Sequence, residues 1–257
     1  MLRTGAPEAC SSVRASFSYS RAVRAQKSLT SRVVLNPPEG LSLGRVVAVD
    51  AAYWGPGETY GVAVAVVFKG GEELTACYEA VGAACVPYVP GLLAFREAQL
   101  MVPAVRAALA RAGGSLLLVD GHGIAHPRRF GIASHLGVVL SVPSIGVAKR
   151  LLYGRLEGCQ LGRCIVADGH VLGVEIESSG RPIYVSPGNM IDVETAASVV
   201  RSLMRRGLHL PYPLHVADRI SKEERRRLSS LSPSALEVRG CYQRALELVE
   251  EEAGQKG

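Results

Sequence analysis

The sequence lacks three features that would place it in a special class. It has no apolar run of the ~20 residues that a membrane-spanning helix needs, so we expect no membrane partner. It has no internal repeat, which argues against a solenoid. Its six cysteines form no C-x-x-C pair, so a zinc site is not expected. Because they are scattered, we predict thiols in a reducing cytoplasm, with Cys159 and Cys164 close enough for one bridge.

Lysine is also scarce. Most of the 29 basic residues are arginines, and together with 23 acidic residues they give a formal net charge of +6. A moderately basic chain suits a polyanionic partner. Arginine forms bidentate bonds to phosphate, so the bias is compatible with a nucleic-acid surface, although GC-rich codon usage explains it as well.

The length and composition predict one globular domain. A chain of 257 residues with 48% hydrophobic and 20% charged residues is ordinary for a single α/β domain with appendages. We predict a flexible tail at residues 1–15 and a single domain at residues 16–257, which ends in a helical extension. The first 32 residues, in which Glu8 is the only acid, also fit an organellar transit peptide.

The alternation of apolar strands and amphipathic helices predicts an α/β fold, with a mixed sheet covered by helices on both faces. Short breaks separate the first three strands, which indicates antiparallel neighbours. Strands are predicted at residues 45–50, 60–68, 73–81, 115–120, 142–147, 165–176 and 181–186. Helices are predicted at residues 16–31, 91–112, 130–138 and 192–206, followed by a charged helical tail at 216–253.

Two of the predicted strands end in an aspartate. Asp50 and Asp120 each follow an apolar run, where a carboxylate is costly unless it is paired or binds a cation. One such aspartate is usually a helix cap or a turn residue, but two at equivalent strand ends indicate a shared site. Glu97 interrupts the apolar stripe of the helix 91–112, and it would either pair with Arg96 or join this site. Three converging carboxylates predict Mg²⁺ as the cofactor, with Mn²⁺ able to replace it.

Basic residues follow the second aspartate and the next strand. His126 lies in the loop after Asp120 and could relay protons to an attacking water, or be an ordinary surface histidine. Lys149 could bind a phosphate, or be a solvated lysine at a helix start. Arg128 and Arg129 suit phosphate contacts and a solvated surface equally well. Carboxylates with two divalent cations would activate water for phosphodiester hydrolysis.

Longer motifs resemble those of the endonuclease V family. The segment 119–137, which reads VDGHGIAHPRRFGIASHLG, is the longest match and is highly specific to that family. A second match is YVPGLLAFRE at 88–97. Shorter ones are Val49-Asp50 followed by Tyr53, GVAK at 146–149 and VSPGN at 185–189. The resemblance covers roughly residues 20–220.

The resemblance implies a ribonuclease H-like fold and an enzyme that nicks a deaminated strand. It implies Mg²⁺ held by Asp50 and Asp120, with Glu97 completing the acidic site and with His126 and Lys149 at catalytic positions. Family members flip the base out and hydrolyse the second phosphodiester bond 3′ to it, which leaves 3′-hydroxyl and 5′-phosphate ends and initiates repair. The expected partner is inosine-containing DNA, with RNA also possible, and the expected state is a monomer. The segment Pro87-Tyr88-Val89-Pro90 matches the family's strand-separating wedge, and Gly121-His122-Gly123 matches the loop beside the base pocket.

Some features depart from the family or leave alternatives open. Asn189 stands where many relatives have histidine, and the residues beyond about 220 match no family segment. Tyr88 could also be an ordinary packed loop residue. Two other functions fit the sequence: another ribonuclease H-like nuclease, acting on inosine RNA or on a nucleic-acid structure, and a non-catalytic nucleic-acid-binding module. A binding module has no need of three acids, which argues against it.

Overall fold

A ten-stranded mixed sheet forms the centre of the computed structural model, which describes residues 8–233 and 235–254. The helices are α1 (Glu8–Ser16), α2 (Tyr19–Thr30), α3 (Leu93–Ala112), α4 (Ile132–Leu140), α5 (Val193–Ser202), α6 (Tyr212–Leu228) and α7 (Tyr242–Gly254). The strands are β1 (Arg45–Trp54), β2 (Tyr60–Lys69), β3 (Glu73–Ala83), β4 (Leu116–Asp120), β5 (Ser144–Ala148), β6 (Arg155–Cys159), β7 (Gly162–Ala167), β8 (His170–Ser178), β9 (Arg181–Asn189) and β10 (Glu237–Gly240). They lie in the order β10-β3-β2-β1-β4-β5-β9-β8-β7-β6.

The predicted mixed sheet with helices on both faces is confirmed. β1, β2 and β3 are antiparallel neighbours, as expected from the short breaks between them. β1, β4 and β5 run parallel, and they are buried on both faces, which is why they read as continuous apolar runs. Helices α3 and α4 cover one face, and helices α5, α6 and α7 cover the other.

Two strands were not predicted, and one predicted strand is in fact two. The run 165–176 is interrupted by a turn at Asp168 and Gly169, which both have positive φ and reverse the chain between β7 and β8. β6 pairs with β7 across the Cys159–Cys164 disulfide, so that predicted bridge is confirmed. The strand itself is only partly buried and therefore has no clear apolar pattern.

The C-terminal tail is not one continuous helix. After α6, the short strand β10 adds antiparallel to the edge of β3, and α7 packs behind it. The disulfide Cys77–Cys241 joins β3 to the residue that precedes α7. The helical prediction was wrong at β10 because this strand is formed by pairing with a distant edge, which local sequence does not reveal.

The expectation of free thiols was also wrong. All six cysteines are paired, the third pair being Cys10–Cys85. Partners that are 75 and 164 residues apart cannot be recognised from spacing. The first of these bridges ties down α1, so Glu8–Ser16 is helical within the segment predicted to be a flexible tail, whereas residues 1–7 lie outside the described part of the chain. Within the described residues, no helix has the length and hydropathy to cross a bilayer.

Candidate active site

Two parallel strands bring Asp50 and Asp120 together. Val49 of β1 pairs with Val119 of β4, so the residue after each of them lies beside the other. The prediction that the first strand ends at Asp50 was wrong, because β1 continues to Trp54 by pairing with β2, whereas Asp120 is the last residue of β4. Asp50 is buried and Asp120 is half-buried. Burial, reinforced by the charge of Asp120, raises the pKa of Asp50 well above its ordinary value. The structure thus holds two carboxylates where charge is poorly solvated.

A third aspartate, which the sequence analysis missed, completes this group. Asp218 lies on α6, and one carboxylate oxygen from each of the three aspartates lies within 4.8 Å of the other two. Ser221, one turn later on α6, donates from Oγ to Asp50 Oδ2 at 2.5 Å. In the sequence, Asp218 belongs to a charged segment typical of a solvated helix. The available signal was the stripe Leu214, Ala217 and Ser221, which buries this face of α6 against the sheet.

Lys149 lies between two of these aspartates. Its Nζ donates to Asp120 Oδ2 at 2.5 Å and to Asp218 Oδ1 at 2.6 Å. Partial burial opposes the charged form, but the two carboxylates outweigh it and raise the pKa of Lys149, so the amine stays protonated. Lys222 approaches Asp218 Oδ2 at 2.6 Å, and these ammonium contacts outweigh burial and lower the pKa of Asp218.

Glu97 contributes a fourth carboxylate from α3. Its Oε2 is buried and has no hydrogen-bond partner among the described residues. Burial, followed by the negative charges of Asp50 and Asp120, raises the pKa of Glu97 well above its ordinary value. The alternative pairing with Arg96 is not observed in the described part of the chain, because Arg96 donates to the Val86 carbonyl at 2.9 Å and covers the Tyr53 ring at 4.8 Å.

This group of residues has more carboxyl groups than basic groups to pair with them. Four carboxylates, on Asp50, Glu97, Asp120 and Asp218, meet two ammonium groups. Buried carboxylates are normally paired or bound to a cation. Oxygen atoms of three aspartates on three separate elements fit a hard divalent cation such as Mg²⁺, and Oε2 of Glu97, unpartnered within the described chain, lies near two of them. The acidic group could therefore hold a metal ion.

A cavity of about 170 Å³ opens beside the acids. Glu97 and Asp120 form part of its wall. Tyr88 and Pro90 of the predicted wedge, in the loop between β3 and α3, also line it. Tyr88 is 62% exposed, which excludes the alternative that it is a packed loop residue. Pro87 and Val89 are half-buried. An exposed aromatic ring on a proline-stiffened loop therefore lies at the mouth of a cavity that contains the acids.

The glycine loop after β4 forms another wall of this cavity. Gly121 and His122 line it, whereas Gly123 lies behind and donates from N to Ser186 Oγ at 2.8 Å. A Cβ on Gly123 would come within 1.8 Å of the Pro187 carbonyl oxygen, so only glycine fits. Burial lowers the pKa of His122, and its Nε2 lies 2.9 Å from the Arg150 carbonyl oxygen.

His126 lines the same cavity but is fully engaged with the backbone. Its Nε2 lies 3.1 Å from the Gly91 carbonyl oxygen, and its Nδ1 accepts from Arg128 N at 3.1 Å. Burial, followed by the charge of Arg128, lowers the pKa of His126 to about 4. Arg128 points inward to the Gly91 carbonyl rather than to solvent, and Arg129 pairs with Asp168 at 3.0 Å.

A second, larger groove of about 730 Å³ shares Lys149 and Asp218 with the acidic group. Apart from Asp218, the charged side chains that line it are basic. A groove with this lining attracts anions, and its continuity with the acids would bring a phosphate to them. The other lining cations and histidines are Arg150, Arg181, Lys222, His209 and His215.

Asn189, which departs from the residue expected at this position from the family resemblance, is buried and has structural partners. Its Oδ1 accepts from Val34 N at 3.1 Å, and its Nδ2 donates to the Gly137 carbonyl at 3.2 Å. It therefore ties the segment after α2 to α4 and to the end of β9.

Sequence and structure comparisons agree on one family. Residues 27–219 match the family model described as Endonuclease V. The endonuclease V of Aeropyrum pernix is 46% identical over 211 residues, which cover 82% of this chain and 81% of that protein. The crystal structure of human ENDOV has a TM-score of 0.74 and 30% identity, and covers 83% of this chain and 100% of its own. Ciona intestinalis endonuclease V, crystallised with a DNA that contains an inosine, has a TM-score of 0.71 at 23% identity over 81% of this chain and 97% of its own, a likeness of fold. These similarities confirm the ribonuclease H-like fold.

Proposed function

The chain belongs to the endonuclease V family, whose members hydrolyse phosphodiester bonds, and on this basis we propose an Mg²⁺-dependent endonuclease that acts on inosine-containing DNA. The proposed reaction cuts the second phosphodiester bond 3′ to the inosine and leaves 3′-hydroxyl and 5′-phosphate ends. It nicks the strand without removing the base, and so would initiate repair.

The observation that carries this proposal is the junction of the acidic group with the small cavity. Asp120 belongs both to the cluster of three aspartates and to the cavity wall, which Glu97 also lines, so a base held in the cavity has the phosphates of its own strand beside the acids. At about 170 Å³, the cavity is smaller than the ~300 Å³ at the lower end of drug-sized pockets, and so suits a single unstacked base.

The wedge residues support base flipping. Tyr88 is exposed at the cavity and can stack where a base has left the helix. Extruding a base requires unstacking energy of a few kcal/mol, and a deaminated, mispaired base requires least. We therefore assign lesion recognition to Tyr88, the glycine loop and the cavity between them.

The carboxylates of Asp50, Asp120 and Asp218, with Glu97, would hold the divalent cation. Bound there, such an ion lowers the pKa of a water molecule and neutralises charge on a phosphate. We propose Mg²⁺ as the resident ion, replaceable by Mn²⁺, because all the donors are hard oxygen atoms. Lys149 is held protonated beside these acids, so we assign it to the negative charge that develops on the phosphate rather than to proton abstraction.

The basic groove gives the strand a path beyond the cut. It begins at Lys149 and Asp218 and is lined by Arg150, Arg181 and Lys222. Phosphate contacts from such residues fix the register of a strand without reading its bases. We propose that the groove receives the phosphates 3′ to the scissile bond, which sets the cut at a fixed distance from the flipped base.

A single assay tests the function. One end-labelled strand carries one inosine, as DNA and as RNA, and a matched strand carries adenosine instead. With Mg²⁺ we expect the inosine DNA alone to give a product that ends at the second bond 3′ to the lesion, and no product in EDTA. Equal cutting of the adenosine strand would favour a structure-specific ribonuclease H-like nuclease, and cutting of the RNA alone an inosine-RNA nuclease.

If no strand is cut but the inosine strand is bound, the chain is a binding module.

For assembly and location we keep the expectation of a monomer in the cytoplasm. Three disulfides do not contradict a cytoplasmic location, since intracellular proteins of hyperthermophiles form them too. Sedimentation of the purified chain with and without DNA measures the oligomeric state.

A further inference from the structure

The wedge ends at a glycine that joins it to the helix carrying Glu97. Gly91 has φ +76°, a left-handed conformation that favours glycine, and α3 begins two residues later. A Cβ at this position would lie 2.6 Å from Arg128 Nη2. The position of this one residue therefore decides how the wedge stands relative to the acid-bearing helix.

Three side chains converge on the carbonyl oxygen of Gly91. Gln26 Nε2 donates to it at 3.2 Å, His126 Nε2 at 3.1 Å and Arg128 Nη2 at 2.5 Å. Gln26 comes from α2, and the other two come from the loop after β4. A carbonyl has two lone pairs, so three donors, one of them charged, exceed what an ordinary loop carbonyl receives.

These side chains also hold one another. Arg128 Nε donates to Gln26 Oε1, and Arg128 N donates to His126 Nδ1 at 3.1 Å. Gln26 Nε2 donates in addition to the Phe130 carbonyl at 2.7 Å. Gln26 is 0% exposed and His126 is 4% exposed. The network is closed, because the whole amide of Gln26 and both ring nitrogens of His126 are used within it.

The closed network gives His126 a defined form. Nδ1 accepts a hydrogen bond, so the proton is on Nε2 and points at the Gly91 carbonyl. A histidine in this arrangement has no nitrogen left for a water molecule or a substrate. Its chemistry therefore matches that of a positioning group rather than a proton relay.

We propose that Gln26, His126 and Arg128 are positioning residues that fix the wedge through the Gly91 carbonyl. Gln26, Gly91 and His126 line the same cavity as Tyr88, Glu97 and Asp120. These three residues, which we call the anchor, therefore set the distance between the wedge ring, the flipped base and the acids. Through this distance they set the preference for a deaminated strand. This inference rests on the proposed function, in which the cavity receives the base.

The test removes the amide and keeps its volume. Gln26→Leu should raise KM for the inosine strand and reduce its preference over the adenosine strand by about tenfold, while kcat at saturation changes less than about threefold. The control is Ala25→Leu, which adds the same side chain at the neighbouring exposed position. Arg128→Lys keeps the charge but not the fork, and should give an intermediate loss.

A second measurement needs no substrate. Amide hydrogen exchange of the free protein should become faster at residues 86–92 in Gln26→Leu and stay unchanged in β4. If the unmodified chain fails to cut inosine DNA, the proposed function fails, and exchange still tests the anchor. If it cuts, and both variants keep its KM, its preference and its exchange, the anchor is refuted. A Gln26→Leu chain that does not fold leaves the decision to Arg128→Lys.

Discussion

Two groups of buried acids each include a residue of α6, and they differ in how many basic groups the chain supplies to them. The first is the acidic group at Asp50, Glu97, Asp120 and Asp218, which meets two lysines. The second, which we call the arginine clamp, contains Glu79 of β3 and Glu224 of α6 with Arg227, Arg239 and Arg244. Asp218 and Glu224 are six residues apart on α6, yet one belongs to each group.

The arginine clamp is compensated by the chain itself. Glu79 is 0% exposed and accepts from Arg239 Nε and from Arg244 Nη2 at 2.9 Å. Glu224 is 1% exposed and pairs with Arg227 at 2.5 Å and with Arg244 at 2.7 Å. Three cations serve two acids, and two of those cations come from the segment after α6. The clamp therefore fastens the C-terminal extension to the sheet.

The acidic group is not compensated in this way. The chain supplies two ammonium groups for four carboxylates, and burial raises the pKa of both Asp50 and Glu97. The fold places three arginines around the two acids of the clamp but only two lysines beside the four acids of the acidic group, so the acidic group is the one that could hold an external cation.

The largest expected effect is on activity. Asp50→Asn should lower the cleavage rate by about a thousandfold or more, because the Lewis-acid contribution of a bound cation is several kcal/mol. The same change should leave the melting temperature in metal-free buffer equal or higher, because burial already disfavours the ionised form of Asp50 in the folded chain. Cleavage rates with Mg²⁺ measure the first effect, and thermal unfolding in EDTA measures the second. A clearly lower melting temperature would mean that Asp50 is a structural acid like those of the clamp.

The opposite pattern is expected at the clamp. Glu79→Gln should lower the free energy of unfolding by about 1–2 kcal/mol, because it weakens charge-assisted hydrogen bonds from Arg239 and Arg244, whose side chains are partly exposed. Well below the melting temperature, the cleavage rate should stay within about twofold of the unmodified chain. That corresponds to a change of less than about 0.5 kcal/mol in the activation barrier. Denaturant unfolding measures the first, with Glu73→Gln, an exposed acid on the same strand, as the control. An unchanged unfolding midpoint would show that the clamp is not structural.

Acid should destabilise the folded chain through two buried histidines. Burial lowers the pKa of His126 and of His135 to about 4 from 6.5. Between these values the unfolded chain binds protons that the folded chain does not, so this stability is complete above pH 6.5 and is lost as the pH falls toward 4. We expect about 3 kcal/mol for His135, which packs against Phe95 and Phe130.

The measurement compares the free energy of unfolding of His135→Leu with that of the unmodified chain as the pH changes. Both chains contain the carboxyl groups whose pKa is raised, so the contribution of these groups cancels in the difference. His135→Leu should flatten the fall of unfolding free energy between pH 6.5 and 4 relative to the unmodified chain. Parallel curves would show that His135 titrates normally in the folded state.

The smallest effect is expected at the solvent side of the acidic group. Lys222 is half-exposed and pairs with Asp218, so Lys222→Met should change the free energy of unfolding by less than about 1 kcal/mol. Because Lys222 also lines the basic groove, the slope of log affinity against log salt should fall by about one unit. An unchanged slope would remove Lys222 from the strand path.

Local pattern was enough to predict three of the four carboxylates in the acidic group. Asp50 and Asp120 each interrupt an apolar run at its end, and Glu97 interrupts an apolar helical stripe, so all three break a pattern that can be read along the chain. Asp218 breaks no such pattern, because the segment around it is charged throughout. Its burial depends on the packing of α6 against β1, which only the folded chain provides.

The clamp and the anchor were hidden for the same reason. Glu79 looks like an alternating surface residue of β3 until β10 and α7 cover it. Gln26 looks like a solvated helix residue until the Gly91 carbonyl and Arg128 reach it from 65 and 102 residues away. Polar residues whose partners are remote in sequence carry no periodic signal, whereas apolar strands do.

The most direct test is a calorimetric titration of Mn²⁺ and Mg²⁺ into three metal-free chains. The unmodified chain and Glu79→Gln should bind the ion with the same affinity, and Asp50→Asn should bind it at least about tenfold more weakly. If the unmodified chain takes up no ion, or if losing Glu79 weakens binding as much as losing Asp50, the distinction between the two charge groups is contradicted.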